Sequence, residues 1–327
     1  MKTAFVYATD ENYVKLTAVS LCSLLKTNTS HPVIVLSSDI SAESQNLLHD
    51  LANRMGRSLQ ILDTNIALSE LKALGANGYV SFSVYSRLFI PALLGNTFDR
   101  AVYLDSDTLI MGSLDPLCQF NLQGKSFAIG YDCISNKYKK LINLPPTAPY
   151  FNSGMLVLDL AEWKRHLCTE RILDYMKKVR HDLMFGDQDY FALVLADDAA
   201  ILPPEYNFLT HFQMFKTRKA ALCATGTPEC AWYNETQYAA AQKRPIVHHF
   251  LGHTLGRPWY RESLNPLREI YRHFAAEAGV PEVAEQSRPV EFHYRLQHRL
   301  WRSLPQPLFA LAVRAMYTYY FRSHYGV

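Results

Sequence analysis

Ala101-Val102-Tyr103-Leu104-Asp105-Ser106-Asp107 decides the fold: four apolar residues run without a break into two carboxylates separated by one serine. A fully apolar tetrapeptide suits a strand covered on both faces, as in a parallel sheet. Asp105 and Asp107 stand where that strand should end, and open α/β sheets gather their ligands at the carboxyl ends of strands. Two carboxylates one residue apart converge where the backbone turns, and such hard oxygen ligands suit a divalent cation that also bridges phosphate oxygens. The triplet alone is common in solvated turns. The buried strand in front of it makes it a candidate metal pair.

Working outward, residues 4–8 read as a strand. Val14, Leu16, Val19, Leu21, Leu24 and Leu25 fall at mostly helical spacing over 14–27, and Val33-Ile34-Val35-Leu36 is a second apolar strand. A helix follows near 41–55, opened by Ser41 and Glu43, then a strand at 59–62 and a helix over 84–94 ending near Gly95. Downstream come a strand at 127–131, a loop with Pro145, Pro146 and Pro149, and a strand at 155–160 entered through Phe151-Asn152-Ser153-Gly154. Helices are predicted over 161–179 and 187–197. The stretch 203–245 lacks clear periodicity and reads as irregular chain facing an active site. The alternation predicts an α/β fold with a mostly parallel sheet flanked by helices.

The chain has 327 residues, 49% hydrophobic and 19% charged, enough for a large core. Its net charge of +3 is uneven. Residues 288–327 hold Arg288, Arg295, Arg299, Arg302, Arg314, Arg322 and one acid, Glu291, which is +5 and leaves −2 for everything before. A near-neutral body argues against a nucleic-acid binder and leaves an anionic lipid surface as the partner of the tail. If 291–302 is helical, Arg295, Arg299 and Arg302 form a stripe beside Phe292, Leu296 and Leu300, with Trp301, Tyr317, Tyr319, Tyr320 and Phe321 as rings suited to a headgroup boundary; the alternative is a helical pair packed on the protein's own surface, since aromatic clusters are often core. The six cysteines form no C-x-x-C pair, which fits a reducing compartment, although Cys223 and Cys230 could pair under oxidation. The chain opens directly as a strand, so a secretory leader is not expected. No apolar run reaches the roughly 18 residues of a membrane span.

A second constellation is Ile246-Val247-His248-His249-Phe250-Leu251-Gly252-His253-Thr254-Leu255-Gly256-Arg257-Pro258-Trp259. A neutral imidazole can complete a metal shell begun by carboxylates, glycines admit phosphate to backbone N–H groups, and Arg257 can neutralise a diphosphate. His248 is better explained as a satisfied loop residue. Asp159 reads as the cap of the helix carrying Trp163, and Asp115 before Pro116 as a turn residue.

These motifs, in order, resemble the retaining glycosyltransferases of family 8, especially the bacterial galactosyl- and glucosyltransferases of lipopolysaccharide and lipooligosaccharide synthesis. The likeness covers about residues 3–262. It runs through Ala8-Thr9-Asp10-Glu11-Asn12-Tyr13, Tyr85-Ser86-Arg87-Leu88, the Asp105–Asp107 strand, Leu114-Asp115-Pro116-Leu117, Phe151-Asn152-Ser153-Gly154 with Asp159 and Trp163, Asp187-Gln188-Asp189, and His249-Phe250-Leu251-Gly252 with Pro258-Trp259. The resemblance implies a GT-A type, Rossmann-like catalytic domain over 1–262, followed by a helical connector at 263–287 and a small helical, basic membrane-associating tail at 288–327.

It further implies that Ala8, Asp10 and Asn12 hold uracil and ribose, with Ser106 in the same nucleotide site. Asp105, Asp107 and His249 would bind Mn²⁺, with Mg²⁺ as an alternative, and Gly252 and Arg257 would meet the diphosphate. Arg87, Asp132, Asn152, Asp187 and Gln188 would surround the transferred sugar, with Gln188 beneath the anomeric carbon and Asp189 as a rival nucleophile. The implied activity is transfer of galactose or glucose from a UDP-sugar to a glycan or glycolipid acceptor, at the inner face of the cytoplasmic membrane. One departure stands out: the family's Gly-x-x-Lys-Pro-Trp is here two residues longer and ends Arg257-Pro258-Trp259, which keeps the charge and adds a fork suited to phosphate. Sugar nucleotidylation, a rival for the same fold, needs a glycine-rich loop after the first strand, and residues 8–25 contain no glycine. A non-catalytic nucleotide-sugar or glycan-binding protein would keep the fold without the reaction.

Overall fold

A computed structural model describes residues 1–28, 30–65, 82–178, 183–251, 255–287 and 292–326. Its main sheet has seven strands: β1 (Thr3–Asp10), β2 (Val33–Ser38), β3 (Leu59–Asp63), β4 (Arg100–Leu104), β6 (Phe127–Tyr131), β7 (Phe151–Asp159) and β8 (Ala199–Ile201), in the order β3-β2-β1-β4-β7-β6-β8. A smaller sheet joins β5 (Thr108–Ile110), β9 (Phe208–Leu209) and β10 (Val247–His249), with β10 central. In the main sheet β3, β2, β1 and β4 are parallel, while β7 runs antiparallel to both β4 and β6. The expected mostly parallel sheet is therefore present, with one reversed strand that alternation alone does not reveal.

Every residue of β4 is buried, as its apolar run requires. The helix Val14–Thr27 lies against β1, and Ser41 caps the helix Ala42–Arg54 by accepting from Ser44 N at 3.1 Å. Three readings change. The 84–94 segment is a 3₁₀ stretch, Phe82–Phe89, followed by a short α-helix Ile90–Leu94, because Pro91 has no N–H to continue a preceding ladder. The 161–179 helix is two, Leu160–Arg165 and Cys168–Lys178, separated at Leu167, whose φ of 51° is left-handed. The stretch 203–245 is largely ordered as helices Thr210–Met214, Arg218–Thr225 and Glu235–Lys243, the last with a capping box between Asn234 and Gln237. Each is too short to show a 3.6 period.

Asp159 does cap its helix, accepting from Ala161 N and Glu162 N, and Asp115 opens a four-residue helix. Segment 263–287 contributes the helix Arg268–Ala278, whose Tyr271, Phe274 and Ala275 join the core around Val14–Thr27. The C-terminal helices Phe292–Ser303 and Gln306–Tyr325 are docked on the protein. Phe309, Ala310 and Val313 are buried in a cluster with Phe215, Ala221 and Tyr238. Trp301 Nε1 and Gln306 Nε2 donate to Met214 O. Among the described residues no helix is long and apolar enough to cross a membrane, and all six cysteines are free.

Candidate active site

β4 delivers Asp105, and the turn after it delivers Asp107 before the chain enters β5. β10 pairs with β5 antiparallel, setting His249 opposite Thr108. The ligand atoms of Asp105, Asp107 and His249 all lie within 4.8 Å of one another. His249 Nε2 is 3.0 Å from Asp107 Oδ1 and 3.9 Å from Asp105 Oδ2, yet it is buried and makes no hydrogen bond. A buried ring nitrogen left without a proton partner, facing two carboxylates, fits a divalent cation well. The other grouping of this kind among the described residues, His31, Asp115 and Cys118, is a poor rival, because burial pushes the Cys118 thiol up to about 11.

Gly154 makes the convergence possible. Asp105 N donates to Gly154 O, and a Cβ on Gly154 would lie 2.1 Å from His249 Cε1 and 2.8 Å from Asp105 Oδ2. Arg87 is a strut rather than a free sugar contact. Its Nη1 donates to Ser153 O at 2.5 Å, its Nη2 to Asp105 Oδ1 at 2.9 Å and its Nε to Val84 O at 2.8 Å, and the guanidinium sits 4.5 Å from the Tyr103 ring centre. Tyr103 OH adds a 2.6 Å bond to Asp105 Oδ1, so Asp105 is held on two sides.

The helix Asp187–Val194 starts after Gly186, whose φ of 58° favours glycine. Successive residues of a helix point about 100° apart, which sends Asp187, Gln188 and Asp189 to different neighbours. Asp187 Oδ2 is 3.1 Å from Arg87 Nε but accepts no hydrogen bond, and burial pushes this carboxyl up to about 6 against the pull of Arg87. Gln188 is held at both ends: Asn152 Nδ2 donates to its Oε1 at 3.0 Å, and its Nε2 donates to Asp132 Oδ2 at 3.2 Å. Asp132 is buried and raised above the ordinary carboxylate range by that burial, and its Oδ1 has no partner. Asp189 turns away from this cavity. Tyr150 OH, Tyr138 OH and Phe185 N occupy its two oxygens, so it anchors the helix and offers no lone oxygen to a substrate.

At the carboxyl end of β1, beside the end of β4, Ala8 O accepts from Ser106 Oγ, and that hydroxyl also bonds Thr17 Oγ1. The Ser106 side chain thus ties the Asp105–Asp107 turn to the first helix. Asp10 Oδ1 accepts from Asn12 N and Tyr13 N, which leaves Asn12 exposed at the mouth of the sheet. Arg257 lies over Trp259, 5.3 Å from its ring centre, and its charge reaches Asp107: burial raises that carboxyl, but His249 and Arg257 outweigh it and hold it low. Gly252 and His253 lie outside the described residues. His248 is buried in β10 rather than in a loop, with Nδ1 against Gln213 Nε2. Asn207, which no sequence motif marks, is 2% exposed and bonded to both His249 and Asn152.

A mostly parallel sheet whose central strand β4 runs into paired carboxylates, met by a buried imidazole from β10 of the smaller sheet, is a fold of the GT-A type. Residues 4–263 match glycosyl transferase family 8, and the chain belongs to that family. It is 26% identical over 304 residues to a lipopolysaccharide 1,2-glucosyltransferase of Escherichia coli K12, covering 90% of this chain and 84% of that one. It is 23% identical over 276 residues to general stress protein A of Bacillus subtilis, covering 82% and 91%. The crystal structure of the galactosyltransferase LgtC with donor and acceptor sugar analogues superposes with a TM-score of 0.67 at 20% identity, over 89% of this chain and 99% of that one.

Proposed function

We propose that this chain transfers a hexose, galactose or glucose, from a UDP-sugar to a glycan acceptor of the lipopolysaccharide or lipooligosaccharide type, forming an α-linkage. The observation that carries this reading is the convergence of Asp105, Asp107 and His249 beside two buried carboxylate oxygens, Asp132 Oδ1 and Asp187 Oδ2, that lack any hydrogen-bond donor. Asp105, Asp107 and His249 would hold Mn²⁺, or Mg²⁺, which when bound supplies counter-charge for a leaving diphosphate. Sugar hydroxyls are donors, and they are what the two orphan oxygens need.

Ala8, Asp10 and Asn12 then take the nucleoside, and Arg257, with Gly252, the diphosphate. Asp132 and Asp187 hold the hexose hydroxyls, while Asn152 and Asp132 keep the Gln188 amide still beneath the ring. The acceptor hydroxyl attacks C1 from the face that UDP leaves. Its oxygen bonds to C1 as the C1–O bond to phosphate breaks, and the departing phosphate oxygen takes its proton. Saturation of Asp189 by two phenols argues against a covalent route through that residue.

The exposed arginines Arg295, Arg299, Arg302 and Arg322, with Phe292, Leu296, Leu308, Leu311 and Tyr319 also exposed, fit an anionic leaflet at the inner face of the cytoplasmic membrane. Trp301, Tyr317 and Phe321 are spent on packing instead. The decisive experiment incubates the protein with a panel of UDP-sugars and Mn²⁺ and measures UDP release with and without a lipooligosaccharide acceptor. Acceptor-stimulated release from UDP-galactose or UDP-glucose supports the proposal. Binding of a UDP-sugar without release would favour a non-catalytic binder.

A further inference from the structure

We infer that Asn207 is a positioning residue that sets the tautomer of His249 and, through the same amide, the orientation of the amides beneath the sugar. The inference rests on the proposed metal-dependent transfer and adds to it a connection between the two halves of the site. Asn207 stands immediately before β9, which pairs parallel with β10 so that Leu209 lies beside His249. It belongs to neither the metal corner nor the sugar corner, but it touches both.

Four hydrogen bonds form one chain. His249 Nδ1 lies 3.0 Å from Asn207 Oδ1, Asn207 Nδ2 2.9 Å from Asn152 Oδ1, Asn152 Nδ2 3.0 Å from Gln188 Oε1, and Gln188 Nε2 3.2 Å from Asp132 Oδ2. Amide ends are interchangeable by shape, so the direction of the chain needs an independent anchor. Gly154 N supplies it. A backbone N–H can only donate, and it points at Asn152 Oδ1 from 3.1 Å, so that atom must be the oxygen.

The rest follows in both directions. Facing an oxygen, Asn207 must present its NH₂ to Asn152 and keep its carbonyl for His249, which puts a proton on Nδ1, so that in the neutral ring the lone pair is on Nε2 and faces Asp105 and Asp107. On the other side, Asn152 must turn its NH₂ to Gln188, which in turn presents its own NH₂ to Asp132. No other orientation of the three amides satisfies all five residues. The space around Asn207 is closed as well: a Cβ on Gly130 would lie 3.2 Å from its Nδ2 and 3.3 Å from its Cβ, so that glycine gives the amide its room.

Two variants separate the roles. Asn207→Asp keeps an acceptor for the Nδ1 proton but cannot donate to Asn152 Oδ1. It should leave Mn²⁺ affinity within a few-fold of wild type while slowing hexose transfer about tenfold or more. Asn207→Ala removes both bonds and should weaken Mn²⁺ about 10- to 100-fold, the usual scale for losing the partner that orients a ligating histidine. The readouts are Mn²⁺ titration followed by electron paramagnetic resonance of the free ion, transfer kinetics, and ¹⁵N chemical shifts of the His249 ring in metal-free protein, followed upward in pH until both ring nitrogens stop changing. The expected wild-type spectrum is a protonated Nδ1 and a bare Nε2.

A wild-type Nε2–H tautomer overturns the inference, as does an Asn207→Ala protein that binds Mn²⁺ and transfers hexose like wild type. If Asn207→Ala fails to fold, the wild-type tautomer and Asn207→Asp still decide. A wild type that turns over no UDP-sugar refutes the proposed function instead, and the tautomer and Mn²⁺ titration remain as the test of Asn207.

Discussion

Replacing Gly154 by alanine adds one methyl group at the point where β7 passes the metal corner. The new Cβ would lie 2.1 Å from His249 Cε1, 2.7 Å from His249 Nδ1 and 2.8 Å from Asp105 Oδ2, against a closest real contact of about 3.0 Å. Neither neighbour can yield easily. His249 is 1% exposed with its ring tied to Asn207, and Asp105 is pinned by Tyr103 and Arg87. Gly154 is not among the residues with positive φ, so alanine meets no backbone objection and the effect is purely steric. The ring must therefore shift by roughly 1 Å, and a displacement of that size at a reacting centre costs about 10²-fold in rate. This corresponds to about 2.7 kcal/mol on the barrier. Overpacking should also take about 1–3 kcal/mol from folding stability. The assay is UDP release under Mn²⁺, with Mn²⁺ affinity and thermal unfolding measured on the same sample. A Gly154→Ala protein with wild-type kcat/KM and wild-type Mn²⁺ affinity would refute the close approach of β7 to this corner.

Asp105→Asn and Asp107→Asn should each remove most transferase activity, and excess chelator should do the same to wild type; full activity in chelator sinks the metal assignment. Product NMR should show an α-anomeric coupling, and Gln188→Ala should lower transfer more than UDP affinity. Burial pushes Lys139 down to about 8, whereas in the unfolded chain it titrates near 10.4. Between those values the unfolded state holds more protons, so the Lys139 contribution to stability rises with pH. The stability difference between wild type and Lys139→Met should therefore shift in favour of wild type across that window, and a flat difference from pH 8 to pH 10 would contradict it. Truncation after Ser287 should lower the thermal midpoint, because it uncovers the pocket filled by Phe309, Ala310 and Val313. Leu308→Asp with Leu311→Asp should leave folding intact but reduce sedimentation with anionic vesicles, whereas Val313→Asp should destabilise the fold.

Much of the architecture was already decided locally. The strand before Asp105, the helix at 14–27 and the caps at Ser41 and Asp159 depend on neighbours a few residues away, so periodicity and capping chemistry reveal them. The same holds for the identity of Asp105, Asp107 and His249 as ligand types, since carboxylates after a buried strand and an imidazole in a glycine-rich stretch are legible as chemistry. What local pattern cannot carry is direction in space. The reversal of β7, the helical order of 203–245 and the docking of the last two helices arise from contacts between residues far apart in sequence. The packing of Trp301, Tyr317 and Phe321 consumes rings that composition alone would send to a membrane.

The sorting of the Asp187-Gln188-Asp189 triplet was likewise a tertiary decision. Three adjacent polar residues read alike in one dimension, but the helix turns them to Arg87, to Asn152 and Asp132, and to Tyr138 and Tyr150. Only one of the three thereby becomes a fully satisfied anchor. Asn207 is the extreme case, a lone asparagine in a segment without periodicity. Its significance comes from β9 pairing with β10, which brings it within 3.0 Å of His249 across 42 positions of chain. The sequence by itself determined which groups could bind a cation or a hydroxyl. The tertiary structure determined which of those groups were left without a partner, because a hydrogen bond is satisfied or not only once every neighbour is in place.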